Sequence, residues 1–189
     1  MSARLFVALE LPPAVRGALG AFGTAAASGD AALRAVGEDD LHVTLVFLGH
    51  RPLDEVDVAA EVVERHVSGG QAPLLEVVGP RWLSPRRPHV LTVELAEHAG
   101  ALSALQGALA ASFVEELGLV PERRRFLPHV TVARVRRGAA PRRAGLPELA
   151  EVEPFSADAV TLYRSWLNPS PPAPARYEPL ARVPLVAVG

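Results

Sequence analysis

The tripeptide His-Val-Thr occurs twice in this 189-residue chain, as His42-Val43-Thr44 and as His129-Val130-Thr131, 87 residues apart. With six histidines and five threonines, chance predicts about 0.16 His-x-Thr matches in a chain of this length. Two matches with the same middle residue therefore carry information. Each copy lies in an apolar, β-branched run, residues 41–47 and 128–134, that reads as a strand. Residues i and i+2 of a strand project from one face. Each copy thus delivers one imidazole and one hydroxyl to a common surface, while the valine between them packs on the other side. Two copies facing one another make a site of two imidazoles and two hydroxyls.

Paired imidazoles suit general acid–base catalysis near neutral pH, with one ring neutral and the other protonated. The hydroxyls and an arginine can hold an anion that gains charge in the transition state. Metal-free phosphodiester chemistry fits best. One imidazole removes a proton from the attacking water, and the other gives a proton to the departing sugar oxygen. A strained 2',3'-cyclic phosphate suits this machinery because its leaving oxygen lies close to the attacked phosphorus. A metal centre fits less well. Two histidines leave zinc short of ligands, threonine hydroxyls are poor substitutes, and no acid stands at ligand spacing from either motif. Asp39 and Asp40 precede His42 as part of a turn. The plainer alternative is two ordinary strand histidines satisfied by backbone partners.

The charge pattern agrees with an anionic substrate. Net charge is −2 and all 19 basic residues are arginine. Residues 123–143 hold eight arginines and no acid, leaving −10 for the rest of the chain. The second motif lies inside this window. Such a stretch is either a solvated arginine surface or a positive field that draws in phosphate, and arginine's planar fork can donate two hydrogen bonds at once. Arg134 is the nearest candidate on the C-terminal side of His129. It stands five residues on, so strict alternation puts it on the opposite face; a bend or bulge is needed to bring it round.

The hydrophobic fraction of 49% and mean hydropathy of +0.20 are ample for a packed interior. The absence of cysteine excludes disulfides, cysteine-ligated zinc and thiol catalysis. With no signal-peptide pattern and no apolar run of membrane-spanning length, a cytoplasmic location without membrane association is the expectation.

The elements that must position the motifs are readable in outline. Residues 4–11 form a buried strand ended by Pro12-Pro13, which can open a helix through Val15, Leu19, Phe22 and Ala26; Gly17, Gly20 and Gly23 weaken it. A short strand is expected at 32–36, and the first motif strand is expected to stop at Gly49. Residues 53–67 form an amphipathic helix with Val56, Ala60, Val63 and Val67 along its stripe. Strands follow at 74–78 and 89–95, with Trp82-Leu83 opening the link between them. Residues 101–117 form another helix, on Leu102, Leu105, Leu109 and Phe113, stopped by Gly118. Residues 139–153 read as a link with room for a short helix. Strands are expected within 155–166 and 176–188, around a proline-rich loop at 169–174. Interleaved strands and helices without a Gly-rich phosphate loop favour an α+β fold with mainly antiparallel sheets. The repeated motif suggests two lobes related by a pseudo-twofold axis, helices on the outer faces and a central cleft. Residues 1–189 then make one domain of two lobes.

The sequence resembles the two-histidine (2H) phosphoesterases, and within them the RNA 2',3'-cyclic phosphodiesterases also called 2'-5' RNA ligases. The resemblance runs almost end to end, through RLFVALELP, LHVTLVFLG, the Trp82-Leu83 stretch, RRFLPHVTVAR, and TLYRS followed by RYEPL. It implies a bilobal α+β fold with the site between lobes and no metal or other cofactor. It implies His42 and His129 as catalytic residues, with Thr44, Thr131 and Arg134 binding the phosphate. The implied activity is hydrolysis of RNA or nucleotide 2',3'-cyclic phosphate ends to a 2'-phosphate, with reversible 2'-5' joining of RNA ends in some members. Phe126 and Tyr163 are candidates to stack on a base, Phe126 being taken as substrate-binding. Where many relatives carry arginine and tryptophan, this chain has His89 and Thr92, a departure bearing on substrate packing and end specificity. A non-catalytic module that binds RNA ends in the same cleft is the alternative of another class. A monomer is the expected state.

Overall fold

The computed structural model describes residues 1–84, 86–166 and 176–187; the predicted proline-rich loop at 169–174 lies outside them. In chain order the elements are β1 (Ser2–Glu10), α1 (Pro13–Gly29), β2 (Leu33–Ala35), β3 (His42–Pro52), α2 (Glu55–Val67), β4 (Leu74–Leu83), β5 (Val90–Glu97), α3 (Ala101–Leu117), β6 (His129–Val135), β7 (Phe155–Ser156), β8 (Ala159–Trp166) and β9 (Arg176–Pro184). The strands form a nine-stranded sheet in the order β7-β4-β5-β6-β3-β1-β8-β9, with β2 paired to β6. Every pairing between these strands is antiparallel, as the α+β reading requires.

The unbroken apolar run of β1 has a simple cause. The strand lies between β3 and β8 and is covered on both faces, so Leu5, Phe6, Val7, Ala8 and Leu9 are all buried. Prolines at the start of α1 supply helical φ without costing a hydrogen bond. The helix buries Val15, Leu19, Phe22 and Ala26 and packs across β2 and β6. Helices α2 and α3 pack against each other, with Val62, Val63 and Val67 of one and Leu102, Leu109 and Phe113 of the other in the core.

A repeat is visible in this order. The unit strand–helix–motif strand occurs as β1-α1-β3 and again as β5-α3-β6, and in each the motif strand pairs antiparallel with the first strand. The two motif strands meet at the middle of the sheet, where among the described residues β3 and β6 share one residue pair, Val43 with Val130. Pairing runs through this point, so the sheet is continuous across its narrow waist.

Several boundaries differ from the expectations. Strand β3 does not stop at Gly49. The glycine sits at φ +73, beside a register shift against β1, and the strand runs on to Pro52. The same happens in β4: a bulge at Gly79, φ +148, lets the strand continue to Leu83. Trp82 and Leu83 therefore pair with β5 instead of opening a link. Glycines that read as stops serve as bulges. Residues 139–153 contain no helix; Leu146, Leu149 and Val152 pack this segment on the core. Among the described residues, no helix is long and apolar enough to cross a membrane.

Candidate active site

Antiparallel pairing about Val43 and Val130 sets His42 across from Thr131 and Thr44 across from His129. Both valines are fully buried on one face, and the histidines and threonines emerge, half-buried, on the other. The two histidines are thus diagonal neighbours, a relation that puts residues roughly 7–8 Å apart in a two-stranded ladder. His42, Thr44, His129, Thr131 and Arg134 line one trough of about 470 Å³.

Both imidazoles are held in the same way. His42 Nδ1–H donates to the Asp40 carbonyl at 2.7 Å, and His129 Nδ1–H donates to the Leu127 carbonyl at 2.7 Å. Each bond reaches back two residues to the chain just before the strand. A ring whose Nδ1 carries the proton presents Nε2 as its other functional atom. Thr44 Oγ1 lies 3.1 Å from His42 Nε2. A single 3-10 turn, Glu38–Asp40, brings the Asp40 carbonyl into place.

Arg134 reaches the trough through a bulge. Against β5, Thr131 pairs with Thr92 but Ala133 pairs with Leu91, so Val132 is the extra residue. The buried Val132 and Ala133 stand side by side, and parity is reversed beyond them. The Val132 carbonyl accepts a hydrogen bond from Val36 N at 2.9 Å.

Burial pulls the His42 imidazole down to about 4, against the bond to the Asp40 carbonyl, which opposes the change; the nearby charges of Arg134 and His129 lower it further. Asp40 also faces the trough. Burial and the neighbouring Asp39 push its carboxyl up, with Arg134 opposing.

Phe126 is not where it was expected. It is half-buried, packed against the apolar core, and is not part of the trough wall. Tyr163 does not line the trough either. Its hydroxyl donates to Glu10 at 3.0 Å, its ring stacks on Phe6, and burial followed by the Glu10 charge raises the phenol to about 12. The rings that do line the trough, Phe6, Phe47 and Tyr177, were missed, as were Arg4 and Arg34. Phe6 and Tyr177 lie 5.0 and 5.5 Å from the His42 ring, and the Arg4 guanidinium sits 4.6 Å over Phe47. Phe47 lies on the motif strand but five residues beyond His42, on the wrong face by strict alternation; an irregularity in the pairing of β3 with β1, between Thr44 and Val46, brings it round. Thr92, opposite Thr131, is fully buried and its hydroxyl donates to the Arg81 carbonyl; His89 is exposed before β5. Among the described residues, no three His, Asp or Glu side chains gather closely enough to hold a metal ion.

Twin strand-borne imidazoles beside two threonines and an arginine, on an antiparallel α+β frame, define a two-histidine phosphoesterase. The chain belongs to the 2'-5' RNA ligase superfamily, whose family model matches residues 12–168. It is 31% identical over 180 residues to an RNA 2',3'-cyclic phosphodiesterase of Methanothermobacter thermautotrophicus, a match covering 91% of this chain and 95% of the relative. An RNA 2',3'-cyclic phosphodiesterase of Geobacillus stearothermophilus is 30% identical over 187 residues; there the match covers 96% of this chain and 57% of the longer relative. Among solved structures, a Thermus thermophilus protein matches with TM-score 0.81 and 28% identity over 96% of this chain and 97% of that one. Escherichia coli LigT complexed with 3'-AMP shares the fold, with TM-score 0.76 and 24% identity over 98% and 99% of the two chains.

Proposed function

We propose that this protein is a metal-independent RNA 2',3'-cyclic phosphodiesterase that opens the cyclic phosphate to a 2'-phosphate. The observation that carries the reading is the shared tether of the two imidazoles: each Nδ1–H is held by a backbone carbonyl at 2.7 Å, leaving Nε2 as the working atom. The names of the two phosphodiesterase relatives support the substrate class.

In this reading the cyclic phosphate lies between His42 and His129. Thr44, Thr131 and Arg134 hydrogen-bond its non-bridging oxygens and stabilise the charge that grows there. Water attacks phosphorus, and the bond to the 3'-oxygen breaks. One imidazole takes the water's proton; the other gives a proton to the 3'-oxygen. Burial holds His42 neutral, the form in which a ring accepts a proton. One water is consumed, and the product carries a 2'-phosphate and a 3'-hydroxyl. With an RNA 5'-hydroxyl in place of water, the same step makes a 2'-5' link.

The test is incubation with adenosine 2',3'-cyclic phosphate in excess EDTA, with products read by phosphorus NMR. Sustained turnover to the 2'-phosphate is expected. Loss of activity in EDTA, or a 3'-phosphate product, would overturn the reading. Salt-sensitive binding without any product would favour the non-catalytic module that holds RNA ends.

A further inference from the structure

The trough has two unlike ends. Toward β1 and β9 it is walled by the rings of Phe6, Phe47 and Tyr177. Toward β2 it is walled by Arg34 and Arg134, which are direct cross-strand partners in the β2–β6 pairing. Partners in such a ladder point to the same face, and like charges there repel. Among the described residues neither guanidinium makes an ion pair. Asp40 is the carboxylate beside them in the trough, and burial together with Asp39 pushes it toward its neutral form.

The positive charge continues outward from this end. Arg136 follows β6 and donates to the carbonyls of Ala31 and Leu33, beside β2. Arg143 donates to the carbonyl of Arg86, in the turn that leads to β5. Strand β5 in turn begins with Val90 opposite Arg134. Arg86, Arg87, Arg137 and Arg143 are exposed and without ion pairs among the described residues. Asp30, just before β2, accepts hydrogen bonds from the backbone N–H groups of Ala32 and Arg142. A single terminal phosphate is served by Arg134 and the two threonines; it has no use for a second arginine and a track beyond.

We propose that the RNA upstream of the reacting nucleotide leaves the trough over this arginine end, with Arg34 holding the first phosphodiester on its 5' side. Side-by-side guanidiniums match successive phosphates of one chain, and each can form a charge-assisted bond. The terminal nucleoside then occupies the aromatic end. The inference rests on the cyclic phosphodiesterase reading and adds a substrate length and a direction: an RNA end of at least two nucleotides is the preferred substrate.

The test compares adenosine 2',3'-cyclic phosphate with the dinucleotide ApA ending in a 2',3'-cyclic phosphate. The wild-type kcat/KM is expected to favour the dinucleotide by about tenfold, the scale of one added charge-assisted contact. The preference should shrink as salt rises. Arg34→Ala should collapse the ratio of the two substrates toward one, mostly through KM for the dinucleotide, and Arg34→Lys should keep part of it. Absence of a wild-type preference overturns the proposal. So does a ratio that survives in Arg34→Ala, or an equal loss on both substrates. Should Arg34→Ala fail to fold, Arg34→Gln carries the same comparison. If the wild type hydrolyses neither substrate, the catalytic reading fails on its own. The position of Arg34 is then judged by the Kd ratio of ApA 2'-phosphate to adenosine 2'-phosphate, with the same outcomes deciding.

Discussion

At His42 the ring is packed among Phe6, Tyr177 and Tyr163, with centroids 5.0, 5.5 and 6.3 Å away, and Nε2 lies 3.1 Å from the hydroxyl of its own motif threonine. At His129, among the described residues, no aromatic ring packs on the imidazole and no bond to Thr131 forms. What the two share is the backbone: the Nδ1–H bond to the carbonyl two residues back, 2.7 Å in each case. The strand entry therefore sets the tautomer in both copies, while the packing around each ring differs. A duplicated strand can thus supply two rings tethered through the same nitrogen, each presenting Nε2 to the trough, which is what acid–base catalysis on one phosphorus asks for.

The largest effect should come from deleting either ring. His42→Ala and His129→Ala are each expected to lower kcat by about 10²–10⁴, the usual loss for a general acid or base. The double variant should be little worse than either single one, because the pair acts as a unit. Full activity in either single variant, measured on a cyclic nucleotide, would end the two-ring comparison. Thr44→Val and Thr131→Val should cost less. Thr44→Val should be the more harmful, since only Thr44 touches its own histidine.

The next effect is on the frame. Strand β6 carries the bulge that turns Arg134 into the trough, and α1 packs directly on it. A methyl group at Gly23 would lie 2.5 Å from the Val132 carbonyl oxygen, at the bulged residue itself. At Gly20, one turn earlier, the same methyl would meet only the Glu38 and Leu41 side chains, at 3.5 Å or more. Gly23→Ala is therefore expected to destabilise the protein by about 1–3 kcal/mol, the usual cost of overpacking. It should also raise KM by displacing Arg134. Gly20→Ala should hold or raise Tm through better helix propensity. Equal Tm values for the two variants would show that β6 is not pinned by α1.

Much of this was legible in the chain. The His-Val-Thr repeat, read with period-two alternation, placed four side chains on one face, because a strand's parity is local. The span of α3 was read correctly for a similar reason: its apolar spacing and the Gly118 stop are local signals. The bulge at Val132 was foreseen only as a requirement, since nothing in Val-Ala-Arg announces which residue is extra; the partner strand decides that. Arg34, Phe6 and Tyr177 were illegible for the same cause. They come from β2, β1 and β9, distant in sequence, and reach the trough only through sheet order. Gly23 was read as a helix weakness, because the price of a side chain there is set by a carbonyl more than a hundred residues away. Phe126 misled by adjacency: nearness in sequence to His129 said nothing about the face it would take.

The smallest effect, and the most specific to the packing around His42, is on stability against pH. Burial first, with the charges of Arg134 and His129 in support, holds the native His42 imidazole at about 4, below its ordinary 6.5. The unfolded chain therefore takes up a proton at this position as pH falls below about 6.5, while the native protein stays neutral there until about 4. Between those limits the unfolded state binds more protons, so stability falls as the medium is acidified; above 6.5 this residue contributes no slope. Glu10 acts in the same direction at lower pH. Burial pushes its carboxyl up, but bonds from Thr161, Arg182 and Tyr163 outweigh this and leave it below the ordinary value. Asp40, held high, acts in the opposite direction. Wild type alone cannot separate the three, but His42→Asn can. Asparagine keeps an amide N–H able to reach the Asp40 carbonyl and does not titrate. Thermal melts at pH 7 and pH 5 should show a larger fall in Tm for wild type than for the variant. Parallel falls would mean that the His42 ring protonates as readily folded as unfolded, and that its burial does not hold it neutral.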